Sequence, residues 1–253
     1  MNRPLVLLLL GGVAMAAACG SSAPEPTTGE DVVRAMHDRY ADAWYRTLRF
    51  RQTVVRTPAD GSHPPDAVWL EHAEIPGKLR IDQAADYDGN GVIYSGDSLF
   101  VFHEGQLVQR VARRNPLLIL GFDVYRQPAD RTVEILTSEG FDLSLLHADT
   151  WQDRPVWVVG AAQGDSTAPQ FWIDRERLVF VRLIRPTGEP ASGVQDVRFD
   201  DYRPLAGAWI SPTVRFLVDG REVMREEYFD IEADPTLPGG LFDPERWGGQ
   251  EGG

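Results

Sequence analysis

The sequence predicts a mainly β, α+β protein: one large antiparallel sheet with an N-terminal helix and a central helical insertion lying on it. Three observations lead there. Residues 155–184 carry three apolar runs of strand length. These are Trp157 to Val159, Phe171 to Ile173 and Leu178 to Val181, parted by the turn-rich stretches 164–169 and 174–177. Runs of β-branched and aromatic residues punctuated in this way read as consecutive antiparallel strands. Leu48, Phe50, Gln52 and Val54 alternate with polar residues at the two-residue period of a strand. Val33, His37, Tyr40 and Trp44 recur at the spacing of one helix face, widened by Met36 and Ala43.

In chain order, Thr27 or Thr28 caps a helix over residues 30–45, with Glu30 and Asp31 complementing its first turn. Strands follow at 48–56, 68–73, 78–84, 92–95, 98–102 and 106–111, separated by turns such as Asp88, Gly89, Asn90, Gly91. Residues 113–149 break this rhythm. Asn115 caps a short helix with Pro116 at its first position, running through Leu117, Leu118, Ile119 and Leu120 to Gly121. Further short helices are expected at 123–126 and 132–139. After the strands of 155–184 come strands at 195–202, 209–219 and 222–231. The total is about 10–11 strands, and Leu241 and Phe242 are expected to tuck back against the end of the barrel.

A chain of 253 residues with 43% apolar content has enough material for one large β domain. Its net charge of −13 argues against a general nucleic-acid binder, which would carry a basic stripe. Cys19 is the only cysteine, so neither an internal disulfide nor a cysteine metal cluster can form.

Residues 1–18 read as a secretory signal: Arg3, then an apolar segment too short to span a membrane comfortably. Ala16, Ala17, Ala18 and Cys19 resemble a lipobox, which implies cleavage and lipidation at Cys19. Residues 19–29 then form the lipidated tether, 30–247 the folded domain and 248–253 a loose tail. Gly20, rather than aspartate, follows the cysteine. By the sorting rule of enteric bacteria this implies an outer-membrane anchor on the periplasmic face.

The arrangement of lipobox, amphipathic helix, meander, helical insertion and second meander resembles the LolA/LolB superfamily of lipoprotein carriers and receptors. The phrase from Gln170 to Leu183, QFWIDRERLVFVRL, looks like the family's strand pair, and residues 45–52 are similar to its start. The resemblance covers about residues 30–242. It implies an incomplete, curved barrel whose mouth is covered by helices and whose concave side receives lipid or lipoprotein acyl chains. The loop 59–66 departs from the receptor pattern, having no Leu, Phe or Trp at its tip.

On that reading the candidates to contact a ligand are Phe171, Ile173 and Phe180 in the strands and Leu117, Leu118 and Leu120 in the insertion. Arg182 and Arg198 interrupt apolar strands. Each either faces outward or enters the cavity to meet a lipid headgroup or a helix carboxylate. No catalytic constellation is visible. His72 lies in Glu71-His72-Ala73-Glu74 without the second histidine of a zinc protease, and no Gly-x-Ser-x-Gly elbow is present. The expectation is a monomeric, non-enzymatic lipid handler without cofactor or metal. The competing expectation is an envelope sensor that binds a protein partner.

Overall fold

The computed structural model describes residues 25–58, 60–62, 64–84, 86–188 and 192–248. The expected signal segment, Cys19 and residues 249–253 lie outside them. Helix α1 (Gly29–Tyr40) begins in a reciprocal cap. The Thr28 hydroxyl accepts from the Asp31 amide at 3.2 Å, and the Asp31 carboxylate accepts from the Thr28 amide at 3.0 Å. The helix stops at Tyr40, five residues before the expected end. There the chain tightens into a turn in which the Trp44 amide donates to the Tyr40 carbonyl at 2.8 Å. Trp44 and Tyr45 stay buried although they have left the helix.

The first meander comprises β1 (Thr47–Arg56), β2 (Ala67–Glu74), β3 (Lys78–Asp82), β4 (Gly91–Ser95), β5 (Ser98–His103) and β6 (Gln106–Ala112). The insertion holds α2 (Pro116–Gly121), a 3-10 turn (Asp123–Tyr125) and α3 (Ala129–Ser138). Asn115 caps α2 as its sequence predicts, its side-chain oxygen accepting from the Leu117 amide at 3.0 Å. The second half comprises β7 (Leu146–Trp151), β8 (Arg154–Val159), β9 (Gln170–Asp174), β10 (Phe180–Thr187), β11 (Gly193–Asp200), β14 (Thr213–Val218) and β15 (Arg221–Ala233). A small hairpin, β12 (Arg203–Leu205) with β13 (Ala208–Ile210), stands beside it.

Thirteen strands form one open, curved antiparallel sheet in the order β6-β5-β4-β3-β2-β1-β15-β14-β11-β10-β9-β8-β7. This is the predicted incomplete barrel with more strands than the expected 10–11. One difference adds a strand to this sheet, and another splits an expected strand without adding to it. Residues 146–151 form a strand where the helical insertion was expected to continue. Their sequence, Leu-His-Ala-Asp-Thr-Trp, belongs to an exposed edge strand and so lacks apolar alternation. The expected strand 209–219 breaks at Ser211, whose hydroxyl donates to the Asp200 carbonyl at 2.7 Å, and only its second part joins the large sheet.

The sheet's two edges, β6 and β7, are joined in sequence by the insertion, which therefore crosses the concave side. Helix α1 docks beside it. Its first residue is Gly29 because a Cβ there would stand 2.3 Å from Val159 Cγ1. Trp44 stacks on Tyr125 at 3.7 Å, and the Tyr125 hydroxyl accepts from the Phe180 amide at 3.1 Å, which ties the insertion to β10.

The convex face has its own small core. Leu241, Phe242 and Trp247 pack on Ile93, Phe100 and Phe102. Trp247 stacks on Phe102 at 4.2 Å and lies 4.2 Å from the Arg80 guanidinium, which is itself held by Asp82 through two hydrogen bonds of 2.8 and 2.9 Å. Removal of a buried tryptophan costs about 3–5 kcal/mol. Trp247→Ala is therefore expected to lower the urea unfolding midpoint by an amount equivalent to about 3 kcal/mol. An unchanged midpoint would show that the C-terminal segment contributes nothing to the fold.

Candidate functional site

Beneath α2 the concave face holds a partly open cavity of about 290 Å³. This lies near the lower end of ligand sites, which span roughly 300–1,000 Å³. Its wall is built by strand alternation. Register places Leu48 beside Ala73 and Phe50 beside Glu71 on β1 and β2, then Ala73 beside Leu79 and Glu71 beside Ile81 on β2 and β3. On the other half, Leu183 stands beside Val197 and Val197 beside Phe216. All of these line the cavity, and Leu117 and Leu118 of α2 cover it. Arg113, Asn115, Arg185 and Gln195 add polar groups.

The expected ligand contacts divide into three groups. Leu117 and Leu118 reach the cavity. Phe171, Ile173, Phe180 and Leu120 do not line it and are fully buried in packing. Phe171 meets Phe141 edge-to-face at 5.4 Å, and Phe180 meets Phe199 at 4.9 Å. Arg182 and Arg198 lie on the opposite, convex face. Both bind Asp196, Arg182 through two hydrogen bonds of 2.8 Å and Arg198 at 2.7 Å, and Arg182 stacks between Trp151 and Trp172 at 4.2 and 4.6 Å. The face reverses through a bulge. Phe180 pairs with Ile173 and Arg182 with Trp172, which leaves Val181 as the extra residue, so Phe180 and Leu183 share the concave side.

Sequence reading passed over the acidic centre of the wall. Glu71 and Glu226 line the cavity and are only 6% and 8% exposed. Burial pushes Glu71 well above the usual carboxylate range, and the neighbouring Glu226 charge pushes it further. Burial likewise raises Glu226 to about 7, against the pull of the Tyr228 hydroxyl and the Gln52 amide. Tyr94 is raised by burial and drawn back by Arg113. Glu71 was legible only as a charge in phase with the apolar face of β2. Glu226 sits among four other acids in β15 and carried no distinguishing signal.

Because Glu226 holds its proton more tightly folded (about 7) than unfolded (4.5), the folded protein binds more protons between those values. Stability is then highest at and below pH 4.5 as far as this group is concerned, and falls as pH rises through 7. Glu71, Tyr228, Tyr94, Arg113, Arg114 and Arg185 are the other titratable and charged groups around the cavity. Glu226→Gln removes the penalty. It is expected to leave stability nearly unchanged at pH 4.5 and to raise it at pH 8 by about 1–3 kcal/mol. Urea unfolding at the two pH values checks this, and an equal effect at both would overturn it.

No family model matches this chain, and no curated protein matches it in sequence. Solved structures do. A DUF1329 family protein from Desulfovibrio piger is similar with a TM-score of 0.56 and 11% identity, over 85% of this chain and 95% of that one. An outer membrane lipoprotein-sorting protein domain from Vibrio parahaemolyticus is similar with a TM-score of 0.56 and 11% identity, over 87% and 97%. A LolA superfamily protein from Nitrosomonas europaea gives a TM-score of 0.51 and 12% identity, over 83% and 96%. At such identities the likeness is one of architecture, and the chain has a LolA-like fold.

Proposed function

We propose that this protein binds the acyl chain of a lipid or lipoprotein in the cavity under α2, without catalysis, while anchored through Cys19 at the periplasmic face of the outer membrane. One observation carries the reading. The concave face of the sheet holds a cavity with an apolar stretch of wall, Leu48, Phe50, Leu79, Leu117 and Leu183, at the place where α2 covers it. Each methylene transferred there from water contributes about 0.8 kcal/mol. The lipoprotein-sorting description of a structural neighbour supports the same class of ligand. No helix among the described residues is long and apolar enough to cross a membrane, and in this reading attachment rests on the lipid at Cys19.

Two measurements test this. Native mass spectrometry of the purified protein, followed by lipid extraction, is expected to reveal an amphiphile of about one equivalent. A fluorescent fatty acid is expected to bind, and Leu117→Glu, at a half-buried position on α2, to weaken it at least about tenfold by placing a charge in the apolar cavity. No extracted amphiphile together with no fatty-acid binding would refute the reading. Separately, Cys19→Ser is expected to move the protein from the membrane fraction to the soluble one, and retention on membranes would refute the anchor.

A further inference from the structure

Charges of both signs line the cavity and do not meet. Glu71 on β2 and Glu226 on β15 enter its wall, while Arg113, just ahead of α2, and Arg185 on β10 line it as well. Other arginines of this protein find carboxylates, among them Arg114, which also lines the cavity. Arg80 binds Asp82, Arg182 and Arg198 share Asp196, and Arg114 reaches Asp97 and Glu139. Arg113 and Arg185 form no ion pair among the described residues, and Glu71 makes no hydrogen bond there despite being nine-tenths buried. Glu226 accepts from Tyr228 at 3.3 Å. A buried charge without a partner is costly. That cost falls on Glu71 and Glu226, which are buried; Arg113 is exposed and Arg185 half-buried, so the two guanidiniums line the cavity within reach of water while the carboxyl groups lie in its wall, an arrangement suited to a ligand that carries both signs.

We propose that the cavity recognises a zwitterionic amphiphile headgroup, its ammonium against Glu71 and Glu226 and its phosphate or carboxylate against Arg113 and Arg185. The proposal rests on the acyl-binding reading and names the class of amphiphile that the site selects. A simple cation would meet two guanidiniums, and a simple anion two acidic side chains. A zwitterion answers both and brings no net charge to the cavity. Burial already disfavours two negative charges on the carboxyl pair, and an ammonium beside it would restore the ionised form.

The test compares amphiphiles of matched chain length at pH 7 by calorimetry, using the full chain with Cys19→Ser. The panel is dodecyl phosphoethanolamine, α-aminotetradecanoic acid, dodecyl phosphate, dodecylamine and uncharged dodecanol. At least one zwitterion is expected to bind about tenfold or more tighter than each singly charged compound, as a charge-assisted hydrogen bond allows. Preference for the first zwitterion assigns phosphate as the anionic group, and preference for the second assigns carboxylate. Arg185→Gln is expected to erase most of the advantage over dodecylamine, and Glu71→Gln most of the advantage over dodecyl phosphate. Dodecanol binding, unchanged in both variants, shows that the fold is intact. If dodecanol and the singly charged compounds bind as well as the zwitterions, or the variants leave the ranking unchanged, the zwitterion proposal is wrong while acyl binding stands. If nothing in the panel binds, both readings fall.

Discussion

The pairing of β1 with β15 is the constraint on which the rest of the architecture depends. It joins the first strand to the last over a register running from Leu48 beside Ala233 to Arg56 beside Met224. Everything else in the large sheet is a neighbour-to-neighbour meander apart from the step over the β12–β13 hairpin. Such a non-local pairing carries a large loop-closure cost and must be offset by extensive burial. Its consequence is topological. With the first and last strands zipped together at the middle of the sheet, the outer edges are β6 and β7. The segment that connects them in sequence has to cross the concave side. Covering the cavity is thus built into the strand order, and Asn115, Pro116 and the leucines after them supply a helix of suitable character for it.

The sheet also separates two treatments of charge. On the convex face the charged side chains are matched: Arg80 with Asp82, Arg154 with Asp174, and Arg182 and Arg198 with Asp196, several of them further covered by tryptophan. Burial pushes the Asp196 carboxyl up, yet the two arginines hold it below its ordinary value. On the concave face Glu71 and Glu226 have no arginine, and burial drives both upward. The same residue types thus serve opposite ends. Paired, they secure the outside of the curved sheet and clasp the C-terminal segment. Unpaired with arginine, Glu71 and Glu226 remain as buried carboxyl groups in the cavity wall.

Much of the fold was legible in the sequence. The face of β1 followed from alternation alone: Leu48, Phe50, Gln52 and Val54 are all buried. The cap at Asn115 could be named, and that of α1 narrowed to Thr27 or Thr28, because caps obey local hydrogen-bond chemistry. The site was less legible. Leu117 and Leu118 reach the cavity, but Leu120, on the same short helix, turns into the core. Phe171, Ile173 and Phe180 looked equally suited to a ligand and are consumed by packing against the insertion and neighbouring strands. Apolar residues report that a surface is to be covered; they do not report by what.

The sequence by itself determined the local elements, the mainly β composition, the position of the helical insertion and the family resemblance. Each of these rests on interactions within a few residues or on periodicity. Only the tertiary structure decided which side of each strand faces the cavity. A single extra residue at Val181 reverses the phase of β10, and such a bulge leaves no mark in the pattern. That reversal places Leu183 and Arg185 inside and Arg182 outside. Only the fold, too, brings Glu71 and Glu226 into one wall, since they come from strands at opposite ends of the chain, held on either side of β1.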